Sequence, residues 1–168
     1  PSFPHYSLKS PNTMSLNVGD LAPDFTLSDQ DGNLISLSQF RRQTVVLYFY
    51  PRDHTPGCTK EACGFRDVYA DYQGNNIIVL GISTDDPKSH TKFINKYHLP
   101  FPLLCDPDGK VATLYHSYGL KKFMGREFMG IYRQTFIINP DGYIHKIYPK
   151  VKPESHAITI LQDLSGEG

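Results

Sequence analysis

Two apolar runs constrain this chain more than anything else in it. TVVLYFYP (44–51) and NIIVLGIST (76–84) are rich in β-branched and aromatic residues and show no polar alternation. Runs of that kind suit strands buried on both faces. Between them Ala62, Phe65, Val68, Tyr69 and Tyr72 recur at spacings of three and four, the stripe of an amphipathic helix from about Pro56 to Tyr72. A strand, a helix and a second strand so arranged predict a right-handed crossover with the two strands parallel.

The flanking segments extend this unit. FTLSDQDGNLISL (25–37) reads as two short strands around an Asp31-Gly32 turn, and SLSQFRR as a helical turn. DPKSHTKFINKYHL (86–99) reads as a helix with Phe93, Ile94 and Tyr97 inward. FPLLCDPDGKVATLYHSYG (101–119) gives a short strand, an Asp-Gly turn and a short helix. RQTFIINPDGYIHKIY (133–148) is a hairpin around Pro140-Asp141-Gly142, and PESHAITILQDL (153–164) a closing helix. This order predicts an α/β fold of the thioredoxin-like type: a mixed central sheet flanked by helices, with an N-terminal β-hairpin extension. Residues 15–168 are expected to form one domain. PSFPHYSLKSPNT (1–13) has no periodicity. The stretch 1–14 is expected to be a disordered tail or cloning remnant ahead of a natural start at Met14, the alternative being an authentic extension left by processing.

A formal net charge of zero gives no support for a nucleic-acid partner. No apolar run approaches the ~20 residues of a membrane span, and no leading segment has the pattern of a secretory signal. No membrane partner is therefore expected. Three cysteines, Cys58, Cys63 and Cys105, are too few for a disulfide-built scaffold and point to chemistry.

TPGCTKEACGF (55–65) is the informative stretch. Thr55 is a suitable N-cap and Pro56 suits the first helical position, which puts Cys58 third in the helix. The unsatisfied N–H groups and partial positive charge of a first turn favour a thiolate there, and the thiolate is the form that attacks peroxides and disulfides. Its place after the first buried strand lies at the carboxyl end of the sheet, where open α/β sheets hold their ligands. Thr55 is expected to serve both as cap and as a hydroxyl directed at the sulfur or a bound peroxide. Pro51 either ends the strand or roofs the pocket.

YFYPRDHTPGCTKEACGFRD (48–67) closely resembles the peroxiredoxins, and within them the bacterioferritin comigratory protein, or PrxQ, group. The likeness continues through GDLAPDFTL (19–27), DPDGKVATLY (106–115) and MGIYRQTFIINPDG (129–142), so it covers nearly all the chain from about Ser15. It implies a peroxidatic Cys58 framed by Pro51 and Thr55, a resolving Cys63, and a catalytic arginine at Arg133. A guanidinium keeps its proton at working pH and can both hold a thiolate and bond the peroxide. The implied activity is reduction of hydrogen peroxide and alkyl hydroperoxides through a Cys58 sulfenic acid and a Cys58–Cys63 disulfide, reversed by thioredoxin or a glutaredoxin-like dithiol. The resemblance implies no cofactor or metal, a monomer, and a cytoplasmic location with the plastid stroma as alternative.

The other candidates are weaker. Cys105 reads as a small packed residue and His54 as solvated rim. Tyr48 and Tyr50 read as sheet residues with hydroxyls near the pocket. Scattered histidines and a Cys-x4-Cys pair make a poor zinc signal, and no Gly-rich phosphate loop follows a strand. A rival reading is a thiol–disulfide oxidoreductase, opposed by the spacing because those use Cys-x-x-Cys. A redox-inactive binding or chaperone module is the other, opposed by the intact Pro51, Thr55, Cys58 and Arg133 set.

Overall fold

The computed structural model describes residues 16–166. Its elements are β1 (Thr26–Ser28), β2 (Leu34–Ser36), a 3-10 turn (Leu37–Phe40), β3 (Thr44–Phe49), α1 (Pro56–Asp67), α2 (Tyr69–Gly74), β4 (Ile77–Ser83) and α3 (Pro87–Tyr97). Then come β5 (Leu103–Cys105), α4 (Lys110–Leu114), β6 (Tyr118–Phe123), β7 (Arg126–Ile131), β8 (Gln134–Ile138), β9 (Ile144–Tyr148) and α5 (His156–Gly166). Seven strands form one mixed sheet in the order β2-β1-β5-β4-β3-β8-β9. β3 runs parallel to β4, with Val46 opposite Val79, while β8 and β9 are antiparallel to their neighbours. This is the thioredoxin-like arrangement with an N-terminal hairpin.

The apolar runs explain the two cores. Along a strand, side chains alternate between faces. Val46, Tyr48 and Tyr50 enter one core with Phe65, Tyr72 and Phe93. Val45, Leu47 and Phe49 enter the other with Leu80, Tyr115 and Phe136. Both faces of β3 are therefore covered, and its end is fixed where it hands the chain to α1.

Three local features differ from the sequence-based expectations. The expected single helix from Pro56 to Tyr72 is broken at Val68 (φ −118°, ψ 18°), although Tyr69 and Tyr72 beyond the break continue the buried stripe. In α3 the fully buried residues are His90 and Phe93, with Ile94 and Tyr97 only partly covered. Residues 118–131 form a separate two-stranded hairpin, β6–β7, with no counterpart among the expectations. Its turn places Met124 (φ 52°) and Gly125 (φ 79°) both at positive φ. A type I′ hairpin turn needs that, and Asn-Gly would normally announce it.

Candidate active site

The first turn of α1 is built as its sequence suggests. Thr55 is extended (φ −79°, ψ 153°), its carbonyl accepts the first helical bond from Thr59 N at 2.9 Å, and Pro56 occupies the first position. Cys58, Glu61, Ala62 and Phe65 lie at i, i+3, i+4 and i+7, the face turned into the core. Cys58 is 1% exposed. The Thr55 side chain departs from expectation. Its hydroxyl makes no cap bond and donates instead to Arg52 O at 2.8 Å. The proton is thus committed to the loop, and lone pairs on the oxygen remain to accept.

Arg133 enters from the segment just before β8. Its Nη2 donates to Cys58 Sγ at 3.4 Å and its Nη1 to Glu61 Oε1 at 2.6 Å. Burial works against the guanidinium's charge, but Glu61 and Cys58 more than restore it and leave its pKa above the usual value. Glu61 has no side-chain exposure at all. Burial pushes its pKa from the usual 4.5 to about 7, against the pull of Arg133. Gly57 makes room for this pair: a Cβ there would stand 3.1 Å from Arg133 Nη2. The sequence reading missed Glu61, yet a signal exists. A carboxylate three residues after Cys58 on a core-facing stripe requires a cation.

Behind Arg133, His156 bonds Thr135 Oγ1 at 2.8 Å. Burial, with Arg133 second, lowers its pKa to about 4, so it stays neutral. Tyr48 stacks on Phe65 and Tyr50, and burial together with Glu61 and Cys58 keeps its phenol protonated.

Pro51, Thr55, Gly57 and Arg133 wall one side of an open pocket, and the β6–β7 hairpin, through Lys121 and Phe128, walls the other. Three of the sequence-selected residues, Pro51, Thr55 and Arg133, are therefore gathered around Cys58. Cys63 is not. It is the eighth residue of α1, off the buried stripe, partly exposed, and a free thiol like Cys58 and Cys105. Burial raises its pKa, with a partial offset from Arg66.

A clamp that no sequence motif announced holds the loop between β3 and α1. Asp53 accepts from Tyr50 Oη (2.6 Å) and Ser89 Oγ (2.8 Å), and its other contact is His90 Nδ1 at 2.7 Å. Its own N–H donates to Asp85 at 2.8 Å, and His90 Nε2 meets Leu104 O at 3.0 Å. Burial opposes a charge on His90, but Asp53 overcomes it and takes the pKa to about 10. The buried pair fixes the loop that carries Pro51 and Thr55. Next to it, His54 is exposed at φ 66° with its ring 5.0 Å from that of Phe93.

Comparison with known proteins places the chain in a family. The AhpC/TSA family model matches residues 18–147. A protein from Helicobacter pylori described as a putative peroxiredoxin bcp is 48% identical over 149 residues, 89% of this chain and 98% of that one. A crystallised cysteine-to-serine mutant of PrxQ from Xylella fastidiosa superposes with a TM-score of 0.86 at 32% identity, covering 92% of this chain and 98% of that one. The bacterioferritin comigratory protein of Xanthomonas campestris, described for its alkyl peroxide reduction activity, gives a TM-score of 0.85 at 32% identity over 92% and 99% of the two chains.

Proposed function

This chain belongs to the AhpC/TSA family and is a thiol-dependent peroxidase of the Bcp/PrxQ group, and on that premise we propose that Cys58 is its peroxidatic residue. The observation that carries this reading is the contact of Arg133 Nη2 with Cys58 Sγ, 3.4 Å, at the head of a helix. A guanidinium and the N-terminus of a helix both converge on this sulfur, the placement expected of an attacking group.

The thiolate attacks the outer oxygen of a hydroperoxide, the O–O bond breaks, and Cys58 becomes a sulfenic acid. Thr55 offers its oxygen lone pairs to the peroxide hydroxyl, Pro51 keeps the collar narrow, and Arg133 stabilises charge moving between the two oxygens. Cys63 then condenses with the sulfenic acid, releasing water and forming an intramolecular disulfide. An external dithiol of the thioredoxin or glutaredoxin type restores both thiols by exchange. The substrates are hydrogen peroxide and alkyl hydroperoxides, the latter being the class named for the Xanthomonas relative. A disulfide closed within one chain needs no partner subunit, so the working unit is a monomer.

The test is peroxide consumption coupled to thioredoxin and its reductase, run beside insulin-disulfide reduction. Turnover in the first and none in the second supports the proposal. The reverse pattern would make the chain a thiol–disulfide oxidoreductase.

A further inference from the structure

Attack on a hydroperoxide expels hydroxide or an alkoxide, and that anion needs a proton. Most side chains walling the pocket cannot supply one. Thr55 has committed its hydroxyl proton to Arg52 O. Arg52, Arg126 and Arg133 line the pocket, but guanidinium groups do not deprotonate in proteins. Glu127 is turned to the Lys122 ammonium, its ion-pair partner at 3.4 Å.

Lys121 is different in kind. It lies on β6 opposite Phe128 of β7, partly buried in the wall that faces Pro51, Thr55 and Arg133. Its position is fixed at two points. The stem crosses Gly130, where an added Cβ would stand 3.0 Å from Lys121 Cδ. The Nζ donates to Ile131 O at 2.9 Å, two residues before Arg133. One of three ammonium protons is used there, leaving two for the pocket. Burial, then the charge of Arg133, lowers its pKa, and Cys58 opposes the change. The ammonium is thus a readier proton donor than an exposed lysine, and it senses both the sulfur and the guanidinium.

We propose that Lys121 is a catalytic residue of the peroxidase step, the general acid that protonates the leaving oxygen. The inference rests on Cys58 being the attacking thiolate. The sulfur forms a bond to the hydroxyl-bearing oxygen and is oxidised by two electrons. The O–O pair departs with the second oxygen, which takes a proton from Lys121 Nζ and leaves as water or an alcohol. The neutral amine regains its proton from solvent at the open mouth of the pocket.

The experiment varies the leaving group. Oxidation of Cys58 is followed by rapid quench and mass spectrometry, using hydrogen peroxide, tert-butyl hydroperoxide and peracetic acid on the same reduced sample. A peracid expels a carboxylate, which needs no proton. In Lys121→Gln the ratio of peracid rate to hydroperoxide rate should rise by roughly 10²-fold, the scale of general acid catalysis. Because both rates come from one sample, any loss of folded protein cancels in the ratio. Lys121→Arg keeps the charge but cannot give up a proton, so it should show the same rise. An unchanged ratio in Lys121→Gln overturns the proposal. So does a wild-type ratio in Lys121→Arg, which would make the contribution one of charge alone. Persistent peroxide consumption by Cys58→Ser would instead overturn the assignment of Cys58 on which this one rests.

Discussion

Glu61 and Arg133 form a 2.6 Å ion pair in which the carboxylate has no access to solvent and the guanidinium reaches onward to Cys58. The folded-state pKa of Glu61, about 7, lies above its ordinary 4.5. The folded protein therefore holds this proton more tightly than the unfolded chain does. The associated stability is fully present below about pH 4.5 and is lost as pH rises through about 7. Glu61→Gln removes that titration. Urea unfolding of reduced protein at pH 5 and pH 8 should show a smaller loss for the variant than for wild type, the gap being at most about 3 kcal/mol. Equal losses would mean that Glu61 stays ionised throughout.

Replacing Arg133 by methionine removes the cation that touches the sulfur. Peroxide attack then slows. The slowing should exceed any change in thiolate fraction, because the guanidinium also bonds oxygen in the transition state. Alkylation by iodoacetamide across pH gives the thiolate fraction, and stopped-flow oxidation gives the rate. If the corrected rates coincide, Arg133 acts on the resting sulfur alone.

The two cysteines of α1 should separate in a serine series. Cys58→Ser abolishes turnover. Cys63→Ser consumes about one equivalent of peroxide and stalls as sulfenic acid, which a dimedone-type probe will label. Loss of the first oxidation step in both variants would refute this division of labour.

The Asp53–His90 clamp makes a stability prediction with its own pH signature. Asp53→Ala leaves a buried imidazolium unpaired and should cost about 3–5 kcal/mol. The His90 pKa is raised from 6.5 to about 10, so the pair's contribution is complete below about 6.5 and disappears as pH rises through about 10. The penalty of Asp53→Ala, measured by denaturant unfolding, should therefore be larger at pH 6 than at pH 9.5. A constant penalty would assign the cost to lost packing and not to charge.

The parts of the site legible in the sequence are those whose chemistry is local. Thr55 and Pro56 announce a helix start, and Cys58 three residues on inherits that environment. The apolar runs around β3 and β4 fix the crossover because continuous burial has few alternatives. What stayed hidden depends on distant partners. Asp53 and His90 are 37 residues apart and each reads as an ordinary polar residue until the fold pairs them. Lys121 acquires its place from a hairpin whose turn, Met124-Gly125, has the usual glycine second but methionine where Asn, Asp or Gly is usual. Thr55 is legible as the helix start, but the sequence does not show that its hydroxyl turns back to Arg52 O, a local bond set by the loop's geometry.

Cys58 and Cys63 share one unbroken helix, α1, and both are free thiols within it. Residues five apart on an ideal helix are separated by about 7.5 Å of rise and about 140° of rotation, which puts their Cα atoms roughly 8.7 Å apart. A disulfide requires about 4.4–6.8 Å, and beyond about 7 Å it cannot close without backbone movement. The resolving step therefore requires the segment from Thr55 to Cys63 to unwind. Gly57 and Gly64 flank the two cysteines in α1 and weaken the helix by about 1 kcal/mol each relative to alanine. Gly57 cannot simply be dispensed with, because a side chain there would press on Arg133. Unwinding also frees Cys63 from the burial that keeps its thiol protonated. Amide hydrogen exchange should show residues 55–64 protected in the reduced protein and exposed in the disulfide form, while β3 and β4 stay protected in both. Slow unwinding would leave the sulfenic acid open to further oxidation at high peroxide. Equal protection of 55–64 in both states, with the Cys58–Cys63 bond verified by mass, would rule this mechanism out.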